Sequence, residues 1–83
     1  MNKVIIYGSA SCTFCDTAKK LAKSVCKNVI FKDIQYKNHY SELIEKEVPM
    51  EEQPLIFIEV DEEEWFVGTY PSFKQYVYRE MRT

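Results

Sequence analysis

An apolar run, a loop of small residues and two cysteines three apart follow one another without interruption near the start of the chain, and that succession constrains the fold more than anything after it. Val4-Ile5-Ile6-Tyr7 is a short β-prone run ended by Gly8, so residues 2–7 read as a buried strand. Gly8-Ser9-Ala10-Ser11 then leads into Cys12-Thr13-Phe14-Cys15. From Thr13 to about Cys26, Ala18, Leu21, Ala22 and Val25 recur at helical spacing, while Lys19, Lys23 and Lys27 fall four apart on another face. An amphipathic helix packed on a sheet is expected, with the cysteine pair in its opening turn. Val29-Ile30-Phe31-Lys32-Asp33-Ile34 reads as a second strand, and the strand, helix, strand order implies a right-handed crossover with parallel pairing.

Further along, Ser41 to Glu47 reads as a short helix ended by Val48-Pro49. Pro54 stands directly before Leu55-Ile56-Phe57-Ile58, and Glu64-Trp65-Phe66-Val67 lies across the acidic turn Asp61-Glu62-Glu63, so the two runs read as a hairpin. After Gly68, Phe73, Tyr76, Val77 and Met81 sit at helical spacing in a segment opened by Pro71, which suits a first turn. The order is βαβαββα, an α/β class. At 83 residues the chain has room for one domain, spanning 1–83.

Hydrophobic residues make up 46% and charged residues 29%, the balance of a globular rather than a disordered or membrane protein. The longest apolar runs are strand-sized and no basic, apolar leader precedes the first strand, so a cytoplasmic protein is expected. Three cysteines are too few for a disulfide-stapled scaffold and read as reactive or buried thiols. The net charge of -2 divides unevenly: residues 1–40 carry seven Lys against Asp16 and Asp33, and residues 41–83 carry four basic against eleven acidic residues. The cysteines lie in the basic half. No basic groove, zinc-finger spacing or apolar anchor points to nucleic acid or membrane.

With Cys12 at the helix N-cap, free backbone N–H groups and the helix dipole favour its thiolate. Cys15, in the first turn and partly covered, is close enough to form a disulfide with it. A mixed disulfide on Cys12 is then broken by Cys15 or by an external thiol such as glutathione. Zinc needs four ligands, and Cys26 and His39 do not complete a second pair. Cys26 lies eleven residues after Cys15, about 16 Å along a helix, and reads as a core thiol; His39 reads as a residue of a polar loop.

The first strand, the Cys12-Thr13-Phe14-Cys15 turn, Pro54 before a strand and Gly68 before the last helix, taken in order, resemble the glutaredoxin family over nearly the whole chain. The resemblance implies a thioredoxin-like three-layer fold, a four-stranded mixed sheet flanked by three helices. It implies Cys12 as nucleophile, Cys15 as resolver and Tyr7 in the strand leading to the site. It further implies a cis Gln53-Pro54 bond that presents the Gln53 backbone to a peptide or glutathione, Gly68-Thr69 in place of paired glycines, and Ser72 near the glutathione γ-glutamyl end. Thr13 and Phe14 would flank the bound sulfur. The expected activity is thiol-disulfide oxidoreduction of protein disulfides or glutathione mixed disulfides by a monomer. Glutathione would be co-substrate, no cofactor would be tightly bound, and the protein partners would include a ribonucleotide reductase, as in relatives. The sequence departs from the family at Thr13 and Phe14, which replace Pro and Tyr, and at Glu51-Glu52, whose carboxylates would repel those of glutathione. Those departures keep two alternatives open: a reductant recharged by a flavoprotein reductase, and a module that binds an iron-sulfur cluster with glutathione's help.

Overall fold

A computed structural model describes residues 2–50 and 52–81, so Glu51, one of the two acidic residues just noted, lies outside the described residues. The elements run β1 (Lys3–Gly8), α1 (Thr13–Val25), β2 (Val29–Asp33), α2 (Lys37–Glu45), β3 (Leu55–Val60), β4 (Glu63–Gly68) and α3 (Tyr70–Tyr76), which widens into a π-helical turn at Val77–Met81. The strands form one sheet in the order β2-β1-β3-β4. β1 pairs parallel with β2, as the βαβ pattern requires, and antiparallel with β3; β3 and β4 form the hairpin.

The central strand β1 is apolar without alternation because both faces of the sheet are covered. Val4 and Ile6, with Ile56 and Ile58 of β3, point toward α1 and α3 and pack on Ala18, Ala22, Cys26, Phe73 and Val77. Ile5 and Tyr7, with Leu55 and Phe57, point the other way and pack on Leu43 of α2. Register fixes the two ends of the sheet. Tyr7 pairs with Leu55 and Ile56 with Gly68, so the end of β1, the start of β3 and the end of β4 meet at one edge of the molecule. Lys3 opposite Glu59 and the Val60–Glu63 turn mark the other end, where Asp61 and Glu62 take positive φ angles of 52° and 69°.

Three local expectations change. α2 begins at Lys37 rather than Ser41 and ends at Glu45, before Val48-Pro49. Its early start follows from a turn at Asp33: the Gln35 N–H donates to Asp33 Oδ1 at 2.9 Å and the Tyr36 N–H to the Asp33 carbonyl at 3.2 Å, which sets Tyr36 as N-cap. His39 is therefore helical, with Nδ1 3.0 Å from the Asp33 carbonyl oxygen, and not in a loop. Lys27 lies past the end of α1, since Cys26 is the C-cap. The last helix keeps α geometry only to Tyr76. Among the described residues, no helix is long and apolar enough to cross a membrane.

Candidate active site

Cys12 has an extended backbone (φ -85°, ψ 113°), which makes it the residue before the first helical turn, and its Sγ accepts the Cys15 N–H at 3.2 Å. The sulfur shares that N–H with the Cys12 carbonyl oxygen, also at 3.2 Å, and lies at the positive end of the α1 dipole. The preceding loop is closed by the Cys12 N–H, which donates to the Ser9 carbonyl at 3.2 Å. Cys12 is partly exposed, whereas Cys15 is 1% exposed, and both are free thiols. Burial, followed by the hydrogen bond with Cys12, pushes the Cys15 thiol up to about 12, against a smaller pull downward from the Ser9 backbone and the Lys19 charge. The two sulfurs are thus inequivalent: one faces solvent at a helix terminus and the other is held protonated behind it.

Gly8, read from sequence only as the end of a strand, is the wall behind Cys15. A Cβ built there would collide with Cys15 Sγ and stand 3.6 Å from Phe31 Cε1, so the close approach of β1 to α1 depends on the missing side chain. Phe14 is 58% exposed and stacks on Tyr70, the first residue of α3, with centroids 5.8 Å apart and planes 23° apart. This stack ties the cysteine turn to the start of α3. Tyr70 was missed because nothing local to it signals a role, and Thr13 is exposed beside Phe14.

The Gln53-Pro54 bond is cis, with Gln53 exposed and Pro54 buried at the start of β3. Gly68 and Thr69 border a pocket of about 210 Å³ whose other walls are Pro49, Glu52, Leu55 and Phe66. Gly68 takes φ 124°, and a Cβ there would lie 3.0 Å from that of Ser72. Thr69 is the N-cap of α3, so Ser72 sits inside the helix rather than capping it, and it lines a separate groove with Trp65, Tyr76 and Arg79. The fold therefore brings Cys12, Thr13, Phe14 and Cys15 into one turn and Gly68 and Thr69 into one pocket with Glu52, whereas Ser72 faces the groove on the β4 side. Among the described residues no three His, Cys, Asp or Glu side chains converge as they would around a metal ion.

No family model and no curated protein sequence matches the chain. Solved structures do. The reduced glutaredoxin of Escherichia coli superposes with a TM-score of 0.74 at 24% identity, covering 98% of this chain and 99% of that one. The oxidised form of the same protein gives 0.70 at 23% identity over the same shares. Glutaredoxin 1 of Francisella tularensis gives 0.62 at 24% identity over 98% of each chain. Over nearly its whole length, and with the two cysteines opening α1, this chain has the thioredoxin-like fold of the glutaredoxins.

Proposed function

We propose that the protein is a thiol-disulfide oxidoreductase that works through a Cys12/Cys15 dithiol. The observation that carries this reading is the inequivalence of the two thiols: an accessible Cys12 sulfur at the α1 N-cap, hydrogen-bonded to the Cys15 N–H, in front of a buried Cys15. Cys12, as thiolate, attacks a substrate disulfide; its sulfur joins one substrate sulfur and the other leaves as a thiolate that takes up a proton. The mixed disulfide is then opened either by Cys15, giving the Cys12–Cys15 disulfide, or by an external thiol. Phe14, two residues after the attacking cysteine and stacked on Tyr70, offers an exposed apolar surface, and the pocket beside Gly68 and Thr69 offers a recess for a peptide-like co-substrate such as glutathione.

Replacing each cysteine singly by Ser and following reduction of a glutathione mixed disulfide and of insulin tests the assignment. Cys12→Ser is expected to abolish both activities, and Cys15→Ser to keep the first and lose the second. Full activity of Cys12→Ser in either assay would overturn it.

A second reading of the reductant rests on Glu52, an exposed acidic residue that lines the same pocket as Gly68 and Thr69 and whose charge opposes an anionic tripeptide. Under that reading a flavoprotein reductase recharges Cys12 and Cys15. Turnover coupled to glutathione and its reductase supports the first reading, and turnover only with thioredoxin reductase supports the second. Glu52→Gln raises the glutathione-coupled rate if the carboxylate is what limits it.

A further inference from the structure

The resolving step poses a physical problem, because the thiol that must attack is the buried one. Cys15 Sγ lies against Gly8 of β1, and Phe31 of β2 closes the same spot, its Cε1 only 3.6 Å from the position a Gly8 side chain would take. Over the face of that Phe31 ring sits the Lys19 ammonium, 4.4 Å from the centroid. Lys19 follows Cys15 by four residues on α1, so the two side chains leave the helix on the same side. A second tether comes from Asp16, 3.4 Å away, whose carboxylate is largely exposed. Gly8, Cys15, Phe31 and Lys19 thus form one cluster at the junction of β1, α1 and β2.

We infer that Lys19, held over Phe31, is a positioning residue that makes Cys15 competent to open the mixed disulfide on Cys12. The inference rests on the dithiol reading above. In the step concerned, Cys15 loses its proton and its sulfur attacks Cys12 Sγ. The Cys12–substrate S–S bond breaks, the Cys12–Cys15 bond forms, and the substrate sulfur departs as a thiolate that is protonated. Two protein thiols are oxidised as one substrate disulfide is reduced to two thiols. A fixed positive charge near Cys15 favours the thiolate form that this attack requires.

Among the described residues, few charged or titratable groups lie close to Cys15 along the chain or act on it. On α1 and its approach loop they are Cys12, Asp16 and Lys19, with the Ser9 backbone as a hydrogen-bond partner. β1 and β2 contribute the uncharged Gly8 and Phe31, and Lys32 on β2 is engaged with Glu42 on the α2 side. On α3, Tyr70 stacks on Phe14, Phe73 lies in the core and Lys74 lies over the Tyr78 ring. Lys19 is the cation in this set that acts on Cys15.

Stopped-flow mixing of the reduced protein with an aryl disulfide that releases a coloured nitrothiobenzoate separates the two thiol reactions. The first release reports attack by Cys12 and depends on reagent concentration; the second reports attack by Cys15 and does not. Losing the charge lowers the thiolate fraction of Cys15, and the partly compensating rise in intrinsic nucleophilicity leaves a slowing of about threefold for a tenfold loss of thiolate. Lys19→Met is therefore expected to slow the second release, by about threefold for each tenfold loss of thiolate, with a displaced pH profile, and to leave the first unchanged. Lys19→Arg restores the second phase, and Phe31→Leu, which keeps the charge but removes its platform, slows it partially. Cys15→Ser lacks the second phase and identifies it. An unchanged second phase in Lys19→Met, or equal slowing in Lys19→Met and Lys19→Arg, overturns the inference. Absence of a second phase in the unaltered protein would instead overturn the dithiol reading. Lys19→Gln serves where Lys19→Met fails to fold.

Discussion

On one face of the sheet Val4, Ile6, Ile56 and Ile58 meet Ala18, Ala22, Cys26, Phe73 and Val77 in a continuous buried cluster. On the other, Ile5, Tyr7, Leu55 and Phe57 meet a single fully buried residue of α2, Leu43. α2 is held as much by polar ties as by apolar contact. Glu42 accepts the Tyr7 hydroxyl at 3.1 Å and the Lys32 ammonium at 2.7 Å, and Lys46 reaches Glu64 of β4 at 2.6 Å while lying over the Phe57 ring. Tyr40 and Ile44 remain exposed. The helices that carry the cysteine turn and its aromatic partner Tyr70 are thus fixed mainly by apolar burial, which contains no ion pair to screen or protonate in acid. The helix remote from the cysteines is fixed by contacts that depend on pH and salt.

Truncating one buried anchor on each face tests that contrast. Phe73 is completely buried between α3 and the sheet, and Phe73→Ala is expected to cost about 3–5 kcal/mol, read as a lowered urea midpoint. Because α3 also carries Tyr70, the loss should change Cys12 reactivity too. Leu43→Ala belongs near the lower end of its class, about 2–3 kcal/mol, because one side of α2 is open to solvent and can settle. Cys12 reactivity should be unchanged in it. Equal costs for the two variants would break the distinction between the faces.

The same contrast explains which parts were legible in the sequence. β1 and α1 could be read directly, since an unbroken apolar run signals a strand covered on both sides and the α1 apolar stripe points where it is buried. The N-cap and first-turn positions of Cys12 and Cys15 are set by residues next to them. α2 was misplaced because its apolar residues do not report its packing: Tyr36, Tyr40 and Ile44, four apart, are exposed, while Leu43 alone is buried and Glu42 points toward the sheet to bond Tyr7. The stacking of Phe14 on Tyr70 joins segments distant in sequence, and the collision that excludes a side chain at Gly8 arises from how closely α1 folds back on β1, so no periodicity announces either.

Gly8→Ala probes how tightly the cysteine face is packed. The added methyl would occupy the Cys15 sulfur's place, and displacing β1 from α1 is expected to cost about 1–3 kcal/mol. The second release in the stopped-flow assay should slow in the same variant. Wild-type stability and rate in Gly8→Ala would show that the Cys15 side chain can rotate away without loss.

The smallest effects belong to the polar face, and there pH is the sharper tool. Tyr7→Phe removes one hydrogen bond and is expected to cost about 1 kcal/mol at neutral pH. The Lys32 ammonium, and after it the Tyr7 hydroxyl, hold the Glu42 carboxyl below the usual carboxylate range. That stabilisation is complete above about pH 4.3, where an unfolded glutamate is ionised, and is lost as pH falls through the lower folded value. Burial, and then Glu42, hold the Tyr7 phenol above its usual range, a contribution complete below about pH 10 and lost as pH rises past it. The alkaline limb does not separate the faces, because Cys15 on the other side is also pushed up and loses its contribution as pH rises. The acid limb is the one that tests the tie to α2. Thermal melts of Glu42→Gln between neutral pH and pH 3 should fall less steeply than those of the unaltered protein. Parallel curves would mean that Glu42 does not hold α2 to the sheet and that Leu43 suffices.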